Sequence, residues 1–147
     1  MTTSNFSTTI LVDNSPGEVF NAVNNVRGWW QGEIEGSTTK LGDEFTYRME
    51  DMHFSKQKLV ECIPGKKVVW LVTESKLNFI TDKNEWDGSK IIFEITETGN
   101  KTQLRFTHSG LVPEIECYGA CSNAWQKLVQ ESLFSLITTG KGKKVFG

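Results

Sequence analysis

Residues 124–137 read AWQKLVQESLFSLI, and their apolar members return at intervals of three and four. Such spacing predicts a helix with one broad apolar face. The face carries Ala124, Trp125, Leu128, Val129, Leu133, Leu136 and Ile137. The helical period extends from about residue 113 to 139, and Gly140 is placed to end it. The sequence therefore predicts a long C-terminal helix that must cover a large apolar surface.

Upstream of this helix, apolar residues mostly alternate with polar ones, as is typical of strands with one buried face. Strands are predicted at residues 6–12, 44–50, 56–63, 67–73, 91–96 and 103–108. Pro64-Gly65 and Thr98-Gly99-Asn100 are turn sequences between consecutive strands. These features predict about six strands, joined into a largely antiparallel sheet.

Two short helices are predicted after the first strand. Ser15 suits the N-cap, Pro16 the first helical position, and Glu18 the third position of a capping box. The first helix should end near Asn24-Asn25, and a second helical turn is predicted around residues 28–30. The fold class is therefore α+β, in one domain over residues 1–147. The long helix should pack across the concave face of the curved sheet.

Charge and hydropathy exclude several functions. The formal net charge of −2 and a pI of about 5.7 argue against nucleic-acid binding, which normally needs a basic face. No apolar stretch approaches the 18 residues or so of a membrane-spanning helix. The polar start of the chain predicts no signal peptide and hence a cytoplasmic protein.

The three cysteines are Cys62, Cys117 and Cys121. Cys117 and Cys121 are four residues apart on a predicted helix and so share one face. Two thiols fall short of the four ligands of a structural zinc site. We therefore expect buried, inert thiols, no metal site and no cofactor.

Five strings of residues, in this order, resemble the START-like (SRPBCC, helix-grip) superfamily, and within it the domain similar to the C-terminal part of the activator of heat-shock-protein ATPase. The strings are residues 15–20 (SPGEVF), 28–30 (GWW), 106–111 (FTHSGL), 121–125 (CSNAW) and 136–142 (LITTGKG). The resemblance covers roughly residues 6–142. It implies a helix-grip fold that holds a small molecule between the sheet and the last helix.

The resemblance leaves three functions open. The first is binding of a hydrophobic or aromatic small molecule, and the second is a co-chaperone that binds a chaperone and stimulates its ATPase. The third is a small cyclase- or hydrolase-like enzyme that uses His108, since relatives include cyclases. The oligomeric state stays open.

Candidate ligand-binding residues are the inward-facing side chains of the strands, side chains on the apolar face of the last helix, and residues of the short helices that would close one end. They are Trp29, Trp30, Phe45, Tyr47, Trp70, Phe93, Phe106, His108, Trp125, Leu128 and Val129. We expect Trp125 to contact Phe106 and His108 at the centre of the interface.

The two histidines lead to different expectations. His108, at a strand end, is either a general base at the pocket rim or a satisfied histidine that anchors a loop. His53 follows Met52 at a predicted hairpin tip and should be exposed. Residues 76–86 form either a mobile lid, with Phe79 and Ile80 underneath, or a plain hairpin.

Overall fold

A seven-stranded antiparallel sheet forms most of the molecule, for which a computed structural model describes residues 5–146. The first four residues, part of the polar start, and Gly147 lie outside the described chain. The strands are β1 (Phe6–Val12), β2 (Glu33–Gly36), β3 (Glu44–Met49), β4 (His53–Ile63), β5 (Lys67–Leu77), β6 (Lys90–Thr98) and β7 (Lys101–Ser109). Their spatial order is β1-β7-β6-β5-β4-β3-β2.

This architecture confirms the predicted α+β fold, with one strand more than expected. The additional strand, β2, is four residues long and contains Ile34 as its only apolar side chain of any size. It is an edge strand that pairs only with β3 among the described strands. So short and polar a segment carries no alternation signal, and the sequence did not predict it.

The sheet is bent where β4 changes register against β5. The shifts lie between Lys56 and Gln57 and between Leu59 and Glu61. An extra residue on one strand of an antiparallel pair bends that strand and increases its twist. The bend helps to make one face of the sheet concave.

Two short helices, α1 (Pro16–Asn24) and α2 (Val26–Trp29), follow β1 as predicted. The capping box is present: the Glu18 amide donates to Ser15 Oγ at 3.2 Å, and the Ser15 amide donates to a Glu18 carboxylate oxygen at 3.0 Å. These bonds hold the pKa of Glu18 below its ordinary value.

We expect Ser15→Ala to lower the free energy of unfolding by about 1 kcal/mol, because the amide of Glu18 loses its acceptor. Urea denaturation followed by circular dichroism measures the change. Ser15→Asp keeps an acceptor at the cap and should stay close to wild type. No loss in Ser15→Ala, or equal losses in both variants, would show that the hydrogen bond from the Glu18 amide to the Ser15 side chain does not stabilise α1.

The C-terminal helix has three consecutive parts: α3 (Tyr118–Lys127), a π-helical segment (Leu128–Leu133) and α4 (Phe134–Thr139). It begins five residues later than predicted, because residues 113–117 form hydrogen-bonded turns. It ends as predicted at Gly140, whose φ of 85° suits a residue without a Cβ. The π-helical segment was not foreseen; such segments are rare and are frequently found at functional sites.

The main core lies between the concave face of the sheet and this helix. Trp125 is 1% exposed, and its ring centroid lies 4.7 Å from that of Phe106. Its indole N–H donates to Nδ1 of His108 at 3.0 Å, so both predicted contacts of Trp125 are present. No helix within residues 5–146 is both long and apolar enough to cross a membrane.

Candidate ligand-binding pocket

A pocket of about 190 Å³ lies between the C-terminal helix, strands β3 and β4, and the connection from β5 to β6. It is lined by Trp30, Tyr47, Met49, Met52, His53, Phe79, Trp86, Ala120, Cys121, Ala124, Trp125, Leu128 and Phe146. Met52 is 48% exposed, so the pocket meets solvent on that side. Apolar and aromatic side chains make up nearly the whole wall.

Small side chains on α3 leave this space open. Ala120 and Ala124 are one helical turn apart and both line the pocket. Trp125 and Leu128, which follow Ala124 on the helix, are buried and attach this part of the helix to the sheet. A larger side chain at residue 124 would occupy the pocket.

Stacked rings form the inner wall. Trp30 lies against Tyr47 with ring centroids 3.9 Å apart and planes 13° apart. Behind Trp30, Trp70 stacks at 5.8 Å. The Tyr47 hydroxyl donates to the carbonyl of Gln31, and burial raises the pKa of this phenol. The rings therefore present a flat apolar surface to the pocket.

His53 is the one imidazole in the pocket wall. It is partly buried, which corrects the prediction of an exposed histidine: β4 begins at His53, so the ring points into the fold rather than off a turn. The ring meets Tyr47 edge-to-face at 5.0 Å and Trp86 at 4.6 Å. Burial lowers the pKa of His53 to about 3, so the imidazole is neutral near pH 7.

His108 is fully engaged inside the protein. Nδ1 accepts the indole N–H of Trp125, and Nε2 lies 2.9 Å from Ser89 Oγ. Because an indole nitrogen only donates, Nδ1 carries no proton and Nε2–H donates to Ser89. Ser89 in turn donates to the carbonyl of Trp86 at 2.6 Å. Burial, with a smaller contribution from His53, lowers the pKa of His108 to about 3. This series of hydrogen bonds fits a histidine that anchors a loop, and it leaves neither ring nitrogen free to act as a general base.

The connection between β5 and β6 covers the pocket with Phe79 and Trp86. Two glutamates attach it to the loop before α3. The Glu116 carboxylate accepts the amides of Thr81 at 2.9 Å and Asp82 at 3.2 Å. These bonds hold the pKa of Glu116 below its ordinary value.

The second glutamate of this attachment acts in the opposite direction. The Glu85 carboxylate accepts the amides of Glu116 at 2.7 Å and Cys117 at 2.9 Å. Each loop therefore supplies a carboxylate to the backbone of the other. We call this arrangement, Glu85 and Glu116 with the four amides they accept, the glutamate clasp.

Cys117 and Cys121 form a disulfide at the start of α3, which corrects the prediction of two inert thiols. Their Cα atoms are 5.6 Å apart, within the range that a disulfide spans. Cys121 lines the pocket, and Cys117 Sγ accepts the indole N–H of Trp86. Within residues 5–146, no group of three or more His, Cys, Asp or Glu residues is placed to hold a metal.

Protein purified without reductant should show one reactive thiol in denaturant, from Cys62, and three after reduction. The native protein is a poor test, because burial raises the pKa of the Cys62 thiol. Titration with a chromogenic disulfide in urea gives the number. Three thiols without reduction would contradict the disulfide, and a Cys62→Ser control should bring the unreduced value to zero.

A family model described as "Activator of Hsp90 ATPase homolog 1-like protein" matches residues 13–137. The chain belongs to this family. The match confirms the resemblance and the START-like, helix-grip character of the domain. No curated protein matches the chain in sequence.

Solved structures give the same fold for this member of the family. The solution structure of the Aha1 dimer from Colwellia psychrerythraea is 25% identical, with a TM-score of 0.73, covering 95% of this chain and 99% of that one. SSP2350 from Staphylococcus saprophyticus is 14% identical, with a TM-score of 0.70 over 97% and 98% of the two chains. DynU16, a putative protein in the dynemicin biosynthetic locus, is 16% identical with a TM-score of 0.67, over 92% of this chain and 48% of that one.

The predicted binding residues divide into two groups in this family member. Four line the pocket: Trp30, Tyr47, Trp125 and Leu128. Seven lie in the surrounding core: Trp29, Phe45, Trp70, Phe93, Phe106, His108 and Val129. Strand parity identifies the inward face but not the part of that face that is left uncovered. Ligand contact for any of the eleven stays a prediction.

Sequence reasoning missed several residues of the wall. His53 and Met52 were assigned to a hairpin tip, and Phe146 belongs to a tail with no periodic pattern. Burial of Trp86 could have been predicted. It is a single large aromatic residue in a polar stretch, and tryptophan side chains are mostly buried. Phe79 was foreseen as the underside of a covering segment and lines the pocket.

Proposed function

We propose that this protein binds a small aromatic or apolar molecule in the pocket beneath its C-terminal helix. The observation that carries the proposal is a space of about 190 Å³ whose wall is almost wholly apolar. Ligand sites are typically concave and mostly apolar, with a few placed polar groups. The family match supports the fold that forms this pocket, and the ligand is argued from the pocket itself.

The volume limits the size of the ligand. An engineered cavity of about 150 Å³ lined by apolar side chains binds benzene. The pocket here is somewhat larger, at about 190 Å³. The pocket suits a molecule with one ring or two fused rings. A four-ring polyketide or a sterol would fit only if the wall moved.

The expected affinity is moderate. A one-ring ligand that loses about 250 Å² of apolar surface gains roughly 6 kcal/mol, at about 25 cal/mol per Å². Costs of association reduce this figure. Dissociation constants between about 100 µM and 1 mM should therefore be measured.

Titration with benzene, toluene and naphthalene tests the proposal through tryptophan fluorescence, because Trp30, Trp86 and Trp125 line the pocket. Ala124→Leu should weaken binding at least tenfold by filling the space. Asn123→Leu, the same side chain on the exposed face of α3, is the matched control and should bind as wild type does. Wild type that binds none of the three compounds, or an Ala124→Leu variant that binds equally well, would refute the proposal.

A co-chaperone role is a second candidate, and the family description, which names the ATPase of Hsp90, supports it. ATP turnover by purified Hsp90, with and without equimolar protein, tests it. A rise in turnover that survives Ala124→Leu would assign the activity to a surface other than the pocket. Unchanged turnover at saturating protein would exclude the role. A cytoplasmic location, which either function would suit, stays a prediction.

The hydrogen bonds of His108 do not favour catalysis through this residue. Both ring nitrogens take part in hydrogen bonds to protein side chains, and the residue does not line the pocket. A general base must reach the proton that it abstracts, directly or through one water. His108 meets this requirement only if its bond to Trp125 breaks.

A further inference from the structure

We propose that His53 selects the ligand, by donating a hydrogen bond from Nδ1 to a neutral aromatic molecule that carries a carbonyl or similar acceptor. The inference rests on the proposed function and concerns the same pocket. The proposed function limits the ligand by its size and its apolar surface, and this inference adds the chemical class of the ligand.

Three neighbours fix the orientation of the His53 ring. Tyr47 and Trp86 meet it edge-to-face, with interplanar angles of 82° and 78°. Nε2 lies 3.1 Å from Ser55 Oγ. The imidazole is therefore held from two sides and at one nitrogen, as a positioned polar group must be.

The hydrogen bonds of Ser55 determine which nitrogen of His53 is protonated. Ser55 is fully buried, and its hydroxyl accepts the side-chain amide N–H of Gln57. The hydroxyl proton of Ser55 then has His53 Nε2 as its acceptor. In a neutral imidazole whose Nε2 accepts, the proton is on Nδ1.

The opposite orientation of the Gln57 amide would give the other tautomer of His53. With the amide as placed, one carbonyl oxygen of Gln57 is buried without a partner. Turning the amide would pair that oxygen with Ser55 and bury an NH₂ group with two unpaired donors instead. The observed orientation leaves that oxygen and one N–H unpaired, and the turned one would leave both N–H groups unpaired and move the His53 proton to Nε2, so the ¹⁵N spectrum of His53 tests the orientation directly.

Nδ1 of His53, whose ring lines the pocket, is then left as a donor. No hydrogen bond joins it to another group in the described part of the chain. Three other rings of the wall, Tyr47, Trp86 and Trp125, donate their O–H or N–H groups to the protein itself. A ligand acceptor is thus the natural partner of His53.

The same wall disfavours charged ligands. The lining residues include no Lys, Arg, Asp or Glu. A carboxylate would lose its hydration without gaining a counter-charge, at a cost of several kcal/mol. Burial holds the pKa of His53 at about 3, so this ring does not supply the missing charge at pH 7. The ligand class is therefore neutral.

The protonation pattern is tested by ¹⁵N NMR of the imidazole rings in the wild-type protein. His53 should be protonated on Nδ1, and His108 on Nε2, because Trp125 occupies its Nδ1. The two rings thus serve as internal references for each other in one spectrum. Adding acetophenone should move the Nδ1 signal of His53 and leave His108 in place. A proton on Nε2 of His53 would overturn the proposal.

Selectivity is tested with acetophenone and α-methylstyrene, which share one shape but carry C=O and C=CH₂ respectively. The ratio of their dissociation constants is compared between wild type and His53→Phe, so differences in ligand hydration cancel. We expect the ratio to shift about fivefold against acetophenone in the variant, as one lost hydrogen bond implies. Met49→Leu, another change in the wall, should leave the ratio unchanged, and benzoate should not bind at pH 7.

The outcomes separate the two proposals. If neither compound binds to wild type, the proposed function and the role of His53 fall together. If both bind and the ratio is the same in wild type and His53→Phe, only the role of His53 falls. Should His53→Phe not fold, the acetophenone-dependent shift of Nδ1 in wild type, absent with α-methylstyrene, decides the question.

Discussion

Replacing Trp125 by alanine is expected to lower the free energy of unfolding by about 4 kcal/mol. The indole is 1% exposed and lies 4.7 Å from the ring of Phe106 and 5.0 Å from that of Trp30, between centroids. Its removal loses these contacts and leaves Nδ1 of His108 without a donor. Urea denaturation at pH 7.5, monitored by circular dichroism, measures the loss.

Two further variants separate packing from hydrogen bonding at this position. Trp125→Phe keeps a ring but removes the N–H, so it should lose about 1–2 kcal/mol. Asn123→Ala, on the exposed face of the same helix, should lose less than about 0.5 kcal/mol. A loss near 1 kcal/mol for Trp125→Ala would mean that the helix does not rely on this contact.

Acidification from pH 7.5 to 5 should destabilise the protein by about 4 kcal/mol through its two histidines. In the folded state burial lowers the pKa of His53 and of His108 to about 3, against 6.5 for the free side chain. Below pH 6.5 the unfolded chain takes up protons that the folded chain does not, so stability falls as pH falls. The loss amounts to about 2 kcal/mol per histidine at pH 5.

His53→Phe isolates one half of this effect. The variant should lose only about 2 kcal/mol between pH 7.5 and 5, whatever its stability at pH 7.5. The carboxyls of Glu18 and Glu116, whose pKa values are lowered, contribute mainly below pH 4.5 and so lie outside this window. Urea midpoints at pH 7.5, 6 and 5 give the comparison. Parallel pH dependence in both proteins would show that His53 is already protonated, or accessible, when folded.

Local chemistry made much of the fold predictable. Ser15 and Glu18 cap α1, Gly140 ends the last helix, and Gly99-Asn100 connect β6 to β7, because each position demands a particular residue type. Alternation placed Phe106 and His108 on the inward face, opposite Trp125. The period of apolar residues along a strand or helix shows which of its faces is buried.

The pocket was less predictable, because its shape depends on distances that no pattern contains. Phe93 and Tyr47 both face inward, yet only Tyr47 borders the space. The opening beside Tyr47 comes from the small side chain of Ala124 and from the placement of Trp86, in a connection without periodicity. The disulfide was missed for a related reason: a spacing of four permits a bond but does not require it.

For the ligand that we propose, the glutamate clasp has a consequence for the rate of exchange. Because Glu85 accepts the amides that precede α3, and Glu116 accepts amides of the covering loop, neither segment moves without releasing the other. The covering loop with Phe79 and the first turn of α3 with Ala120 therefore open together. Residence time should then be set by the joint movement of these two segments, and weakening either carboxylate should accelerate entry and release equally while leaving equilibrium affinity unchanged.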